Sequence, residues 1–68
     1  MTVEILLITL HMKTKEMGFA EVARRTGIDR THLYTILGPY GNPTLDTLVN
    51  LCNALGFQLV LVEHFPTA

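Results

Sequence analysis

The chain has 68 residues, room for one domain that buries only about 60% of the surface its unfolded form exposes, so its stability margin is thin. With 49% hydrophobic and 16% charged residues it is no disordered tail, and it carries more apolar surface than a small core hides. A formal charge of −1 gives no general attraction for nucleic acid, although Arg24, Arg25 and Arg30 gather three of the five basic residues within seven positions.

The first segment, 2–15, opens with an apolar run from Val3 to Leu10 broken by Glu4 and Thr9. Val3, Ile5 and Ile8 favour strand, whereas Leu6, Leu7, Leu10, Met12 and the polar continuation through Lys13, Lys15 and Glu16 favour helix. We read a helix, with strand still open for Val3 to Leu10. The run is far shorter than the roughly 20 residues of a membrane span and lacks the marks of a signal peptide, so no membrane contact is expected. A second helix, 19–26, sets Val22 and Ala23 against Glu21, Arg24 and Arg25 on its other face and stops at Gly27. The third, 29–37, starts at Asp29, a residue suited to an N-cap, has Leu33 and Ile36 spaced for burial, and is stopped by Gly38 and Pro39.

Gly38 to Pro43 is a turn-rich loop. Thr44 then caps a fourth helix, 44–55, whose Leu45, Leu48, Val49, Cys52 and Leu55 follow one helical stripe, and Gly56 closes it. The β-branched run from Phe57 to His64, bounded by Gly56 and Pro66, reads as a strand over 57–64. A lone apolar strand exposes unpaired backbone groups. Pairing with its own copy through Phe57, Leu59, Val60, Leu61 and Val62 is the simplest completion. The expected fold is therefore mainly α, a compact four-helix domain spanning 1–68, with a C-terminal β-strand that pairs across a homodimer.

The spacing of Val22, Ala23, Gly27, Ile28, Leu33 and Ile36 suits two helices crossing through a short turn: a small residue where backbones approach, a glycine for positive φ, and apolar anchors on both helices. It fits a helix-turn-helix across Phe19 to Leu37, and a plain α-hairpin would use the same residues. With the third helix in a DNA major groove, Arg30, Thr31 and Thr35 would point at base edges: Arg30 bidentate to guanine, the threonines through a hydroxyl or against a thymine methyl. Tyr34 either gives its hydroxyl to the DNA backbone or packs on Pro39. Tyr40, Asn42 and Thr44 could hold phosphates near a helix start, and Asn42-Pro43-Thr44 also reads as turn and cap alone. Arg24 is a further candidate for the DNA backbone, its plainer reading being a solvated helix face.

His11, His32 and His64 lie far apart with no cysteine or carboxylate at ligand spacing, so no metal or other cofactor is expected. No nucleophile stands near a base and an oxyanion donor, and an enzyme is not expected. Cys52, the single cysteine, sits on the apolar stripe of the fourth helix and fits a reducing cytoplasm.

Four runs also carry a family resemblance: Gly18-Phe19-Ala20-Glu21-Val22-Ala23-Arg24-Arg25-Thr26-Gly27-Ile28, His32-Leu33-Tyr34, Gly41-Asn42-Pro43-Thr44-Leu45 and Leu55-Gly56-Phe57-Gln58-Leu59. Over about Leu10 to Val62 the chain resembles the addiction-module antidote proteins, helix-turn-helix antitoxins of the HigA type within the wider Cro and phage-repressor (Xre) class. That resemblance implies a lambda-repressor-like fold, a homodimer on double-stranded operator DNA that represses its own operon, and a protein toxin partner of the RelE-like ribonuclease type. Ala20 stands where this class commonly has Ser or Thr to cap the second helix and meet a phosphate. Two functions are thus expected as alternatives. One is an autorepressing antitoxin with its two third helices about 34 Å apart. The other is an interaction module whose first helix and C-terminal strand bind a toxin or other partner, with the helix-turn-helix as scaffold.

Overall fold

The computed structural model describes residues 2–64 as four helices: α1 (Val3–Met17), α2 (Phe19–Thr26), α3 (Arg30–Ile36) and α4 (Leu45–Ala54). The molecule is mainly α, as expected, and Val3 to Leu10 is helical. Thr2 starts α1 from an extended conformation, its hydroxyl oxygen accepting the Ile5 N–H at 3.2 Å. Leu7, Leu10 and Thr14, spaced i, i+3, i+7, form the buried face of this helix. Thr14 is completely buried because its hydroxyl donates to the Leu10 carbonyl at 2.7 Å, which leaves no polar atom unsatisfied.

Helix α2 is the hub against which α1, α3 and α4 all pack, and its Val22 is fully buried. Its N-cap is Gly18, at φ 104°, with no side-chain cap hydrogen bond; Ala20, where the resembled class commonly has its capping Ser or Thr, already lies inside the helix. Gly27, at φ 75°, ends α2 in the left-handed region that favours glycine. Thr26 then stiffens the turn, donating to the Val22 carbonyl at 2.8 Å and accepting the Ile28 N–H at 3.1 Å. From α4, Asn50 Nδ2 donates to the Thr26 carbonyl at 2.9 Å, so the end of α2 is held from both sides.

Leu33, Ile36 and Leu37 bring α3 and its end into the same core, together with Leu51, Cys52 and Leu55 of α4. The Thr44 oxygen caps α4 by accepting the Thr47 N–H at 3.2 Å. The far end closes on Gly56, at φ 82°, with Gly56 N–H donating to Asn53 and Phe57 N–H to Cys52; these two bonds form a Schellman cap. Burial pushes the Cys52 thiol up, consistent with a packing role. None of the described helices is long and apolar enough to cross a membrane.

The strand expected over 57–64 is not formed; these residues carry no regular structure, and Pro66, its expected boundary, lies outside the described residues. A strand exists only as a member of a hydrogen-bonded ladder. The remaining described segments of the chain are helices and their short connections, so none offers a second edge. Leu61 is fully exposed and Val62 nearly so. This exposed tail leaves an outline of 45 × 22 × 21 Å and a radius of gyration of 12.8 Å, against about 11 Å for a compact chain of this length.

Candidate nucleic-acid interface

Helix α3 has only seven residues and gains its position from both ends. At its start, Asp29 Oδ2 accepts the Thr31 N–H at 3.1 Å, the capping role expected of it. Toward α2 it buries Leu33, Ile36 and the following Leu37. Arg30, Thr31, His32, Tyr34 and Thr35 consequently remain exposed on the outer side. Among the described residues Arg30 joins no ion pair. The Thr35 hydroxyl donates to the Thr31 carbonyl at 3.2 Å, which leaves its oxygen lone pairs to accept from a ligand.

Tyr34 packs on Phe19. The two rings are parallel within 6° with centroids 4.1 Å apart, and His11 meets Phe19 edge-on with centroids 5.6 Å apart. This column ties α1, the start of α2 and the outer side of α3 together, while Tyr34 stays half exposed. Nothing in the sequence pairs Phe19 with Tyr34, fifteen positions apart; the contact follows from how α2 and α3 cross.

The remaining candidates are dispersed around this helix. Tyr40 is almost wholly exposed, and Asn42 and Thr44 are exposed in the same connection. Thr44 is engaged as the α4 cap and also donates to Thr47 Oγ1 at 2.9 Å. Phe57, Leu59, Val60, Leu61 and Val62 all lie exposed on the tail.

Arg24 is clamped by Glu21, one turn earlier on α2. Its Nε stands 3.0 Å from both carboxylate oxygens and its Nη2 within 2.6–2.7 Å of them. Arg25 Nε lies 3.7 Å from the same carboxylate, and its Nη1 donates to the Ala54 carbonyl at 3.4 Å. The i, i+3 spacing that predicts this clamp was present in the sequence. Two of the three clustered arginines are therefore partly neutralised, which leaves Arg30 as the free cation of this region among the described residues.

Hydrogen bonds from Arg24 hold the Glu21 carboxyl below the usual carboxylate range against an opposing desolvation, and the same pairing raises Arg24. A depressed folded-state value means that Glu21 stabilises the fold above its unfolded pKa and loses that contribution as pH falls through the folded one. Thermal melts between about pH 7 and about pH 3 should therefore show a larger drop in Tm for the native protein than for Glu21→Gln, with the two curves converging in acid. Parallel curves would remove the pair as a source of pH dependence. The gap should be small at every pH, since both side chains are solvated.

Comparison with known proteins adds two findings. The model of a family described as "Probable addiction module antidote protein" matches residues 2–63. An uncharacterized protein of Haemophilus influenzae is 34% identical over 56 residues, which cover 82% of this chain and 58% of that protein. The chain thus spans less than two thirds of the length of this curated relative. No solved structure matches it significantly.

Proposed function

Because the chain belongs to the addiction module antidote family, we propose that it is the antitoxin of a toxin–antitoxin pair and represses its own operon by binding duplex DNA through α3. In this reading α2, the Gly27–Asp29 turn and α3 form the helix-turn-helix, within the HigA-type branch of the Xre class. The observation that carries it is the exposed outer side of α3, where Arg30, in no ion pair among the described residues, stands beside Thr31 and Thr35 on a helix whose other side is anchored in the core. Arg30 is suited to a guanine edge and the threonines to neighbouring bases or a thymine methyl. Tyr34, Tyr40, Asn42, Thr44 and Arg24 are the surrounding candidates for phosphate and sugar, with Arg24 available only after it leaves Glu21.

One short helix bearing one arginine makes a sparse reading head, and two copies about 34 Å apart would multiply its effect. A homodimer is therefore part of the proposal, with 57–64 completed as a strand by the same segment of the second copy. The toxin is expected to be a ribonuclease of the RelE-like type, and the setting cytoplasmic.

A mobility-shift titration with duplex DNA from upstream of the gene tests the reading. Arg30→Ala should weaken binding by about 1–3 kcal/mol, roughly five- to 150-fold, and relax preference at one base pair. Unchanged affinity at low salt would overturn α3 as the reading helix. A second reading is favoured by the exposed apolar side chains of α1 and the tail: a module that binds a toxin or other protein partner with little DNA affinity of its own. Toxin capture by a protein that shifts no DNA at low salt would decide for it.

A further inference from the structure

Helix α1 is apolar on two sides. Leu7, Leu10 and Thr14 face the core; Ile5, Ile8 and Met12 repeat the same i, i+3, i+7 spacing two residues out of step, about 200° around the axis. These three are 56%, 57% and 68% exposed, so the stripe lies in solvent although nothing in the core needs it. Apolar clefts lie on both flanks of the helix. One, of about 420 Å³, lies against Leu37, Gly38 and Pro39; the other, of about 480 Å³, lies against Cys52 and the tail. The stripe is therefore a ridge between two grooves, a shape that complements itself.

We propose that this ridge is a self-association surface on which a second copy of the chain packs its own α1 antiparallel, as the helical part of the homodimer interface. The charges select the occupant and the direction. Glu4 and Lys15 lie eleven residues apart, three turns, on the same flank of the stripe, and among the described residues neither joins an ion pair. In an antiparallel two-fold pair centred near Ile8, Ile5 lies opposite Met12 of the second copy, and Glu4 comes within a turn of its Lys15, twice by symmetry. A parallel pair would carry the Glu4–Lys15 flanks of the two copies to opposite sides of the seam, so Glu4 would not meet Lys15. Lys13 is already committed to Glu16 at 3.7 Å and does not compete. A partner of one strong charge sign would find no matching field here, whereas a second copy finds its own sequence of charges inverted. The ridge alone is small beside the roughly 1,000 Å² of a stable interface, so it adds to the tail rather than replacing it.

The inference rests on the dimeric reading above, and sedimentation equilibrium at micromolar concentration separates the two. Ile8→Glu, at an exposed position, should raise the dimer dissociation constant roughly tenfold or more while the helical circular dichroism is retained, and Met12→Lys should act alike. Glu4→Lys and Lys15→Glu should each weaken the dimer at low salt, by about three- to tenfold, and the double exchange should restore it. If Ile8→Glu and Met12→Lys remain as dimeric as the native chain while Leu59→Ser/Leu61→Ser becomes monomeric, the α1 surface is wrong and the tail-paired dimer stands. If the native protein is monomeric, both fail. If Ile8→Glu abolishes toxin capture but leaves the dimer intact, the ridge belongs to the toxin and the inference is overturned.

Discussion

Truncating Leu33 to alanine is expected to cost about 3 kcal/mol or more, a large share of the roughly 3–10 kcal/mol total for a chain this size. Leu33 is completely buried between α2 and the remaining core, on a helix far too short to persist alone. Removing its isobutyl group loses transfer free energy and leaves a void that neighbouring side chains cannot close without moving α3. Urea denaturation should show a sharply lower midpoint with a folded fraction that is already incomplete in buffer. Thr35→Ala, two residues along on the exposed side of the same helix, should stay within about 0.5 kcal/mol of the native protein. Equal midpoints for the two variants would contradict the placement of α3. The contrast also guards the function: a DNA-binding loss in Leu33→Ala would reflect unfolding, whereas the same loss in Arg30→Ala would not.

Gly41→Ala should be nearly as damaging although it adds a single methyl group. A Cβ at this position would collide with the Ile36 carbonyl, a backbone atom at the end of α3 that cannot move aside cheaply. The chain turns back here because Gly41 N–H donates to the Gly38 carbonyl at 3.0 Å and the connection lies directly on the helix end. The added methyl must push the connection outward, at about 2 kcal/mol or more, and should shift the amide resonances of 36–44 together. Asn42→Ala, at an exposed neighbour, should leave stability close to native. A Gly41→Ala variant with native stability would mean that this connection is not packed as described. The sequence marks Gly41 as a turn residue, but the requirement differs from that of a left-handed glycine: its φ is not positive, and the space beside it is already occupied.

The four helices were legible because each carried its own local signals. Asp29 and Thr44 are polar caps, Gly27 and Gly56 are left-handed stops, and apolar residues recur at helical spacing between them. Such signals act over three or four residues and need no tertiary partner. The tail is the counterexample. Its β-branched composition favours extended backbone, but composition cannot provide the second edge that makes a strand, and the single chain leaves 57–64 irregular and exposed. The α1 run was ambiguous for a related reason: an amphipathic pattern is readable when one side is polar, and here both sides are apolar.

At the candidate site, the sequence by itself determined the cast: a capped short helix bearing Arg30, Thr31, Tyr34 and Thr35, and a loop with Tyr40 and Asn42 beside it. Only the tertiary structure decided how these are used. It turned Tyr34 onto Phe19, held the end of α2 with Asn50, and left Arg30 outward and free of ion pairs among the described residues. The physical reason is range. Caps, stops and periodicity act between near neighbours along the chain, whereas ring stacking and the Asn50 contact depend on α2 packing against α3 and α4, which no local pattern encodes.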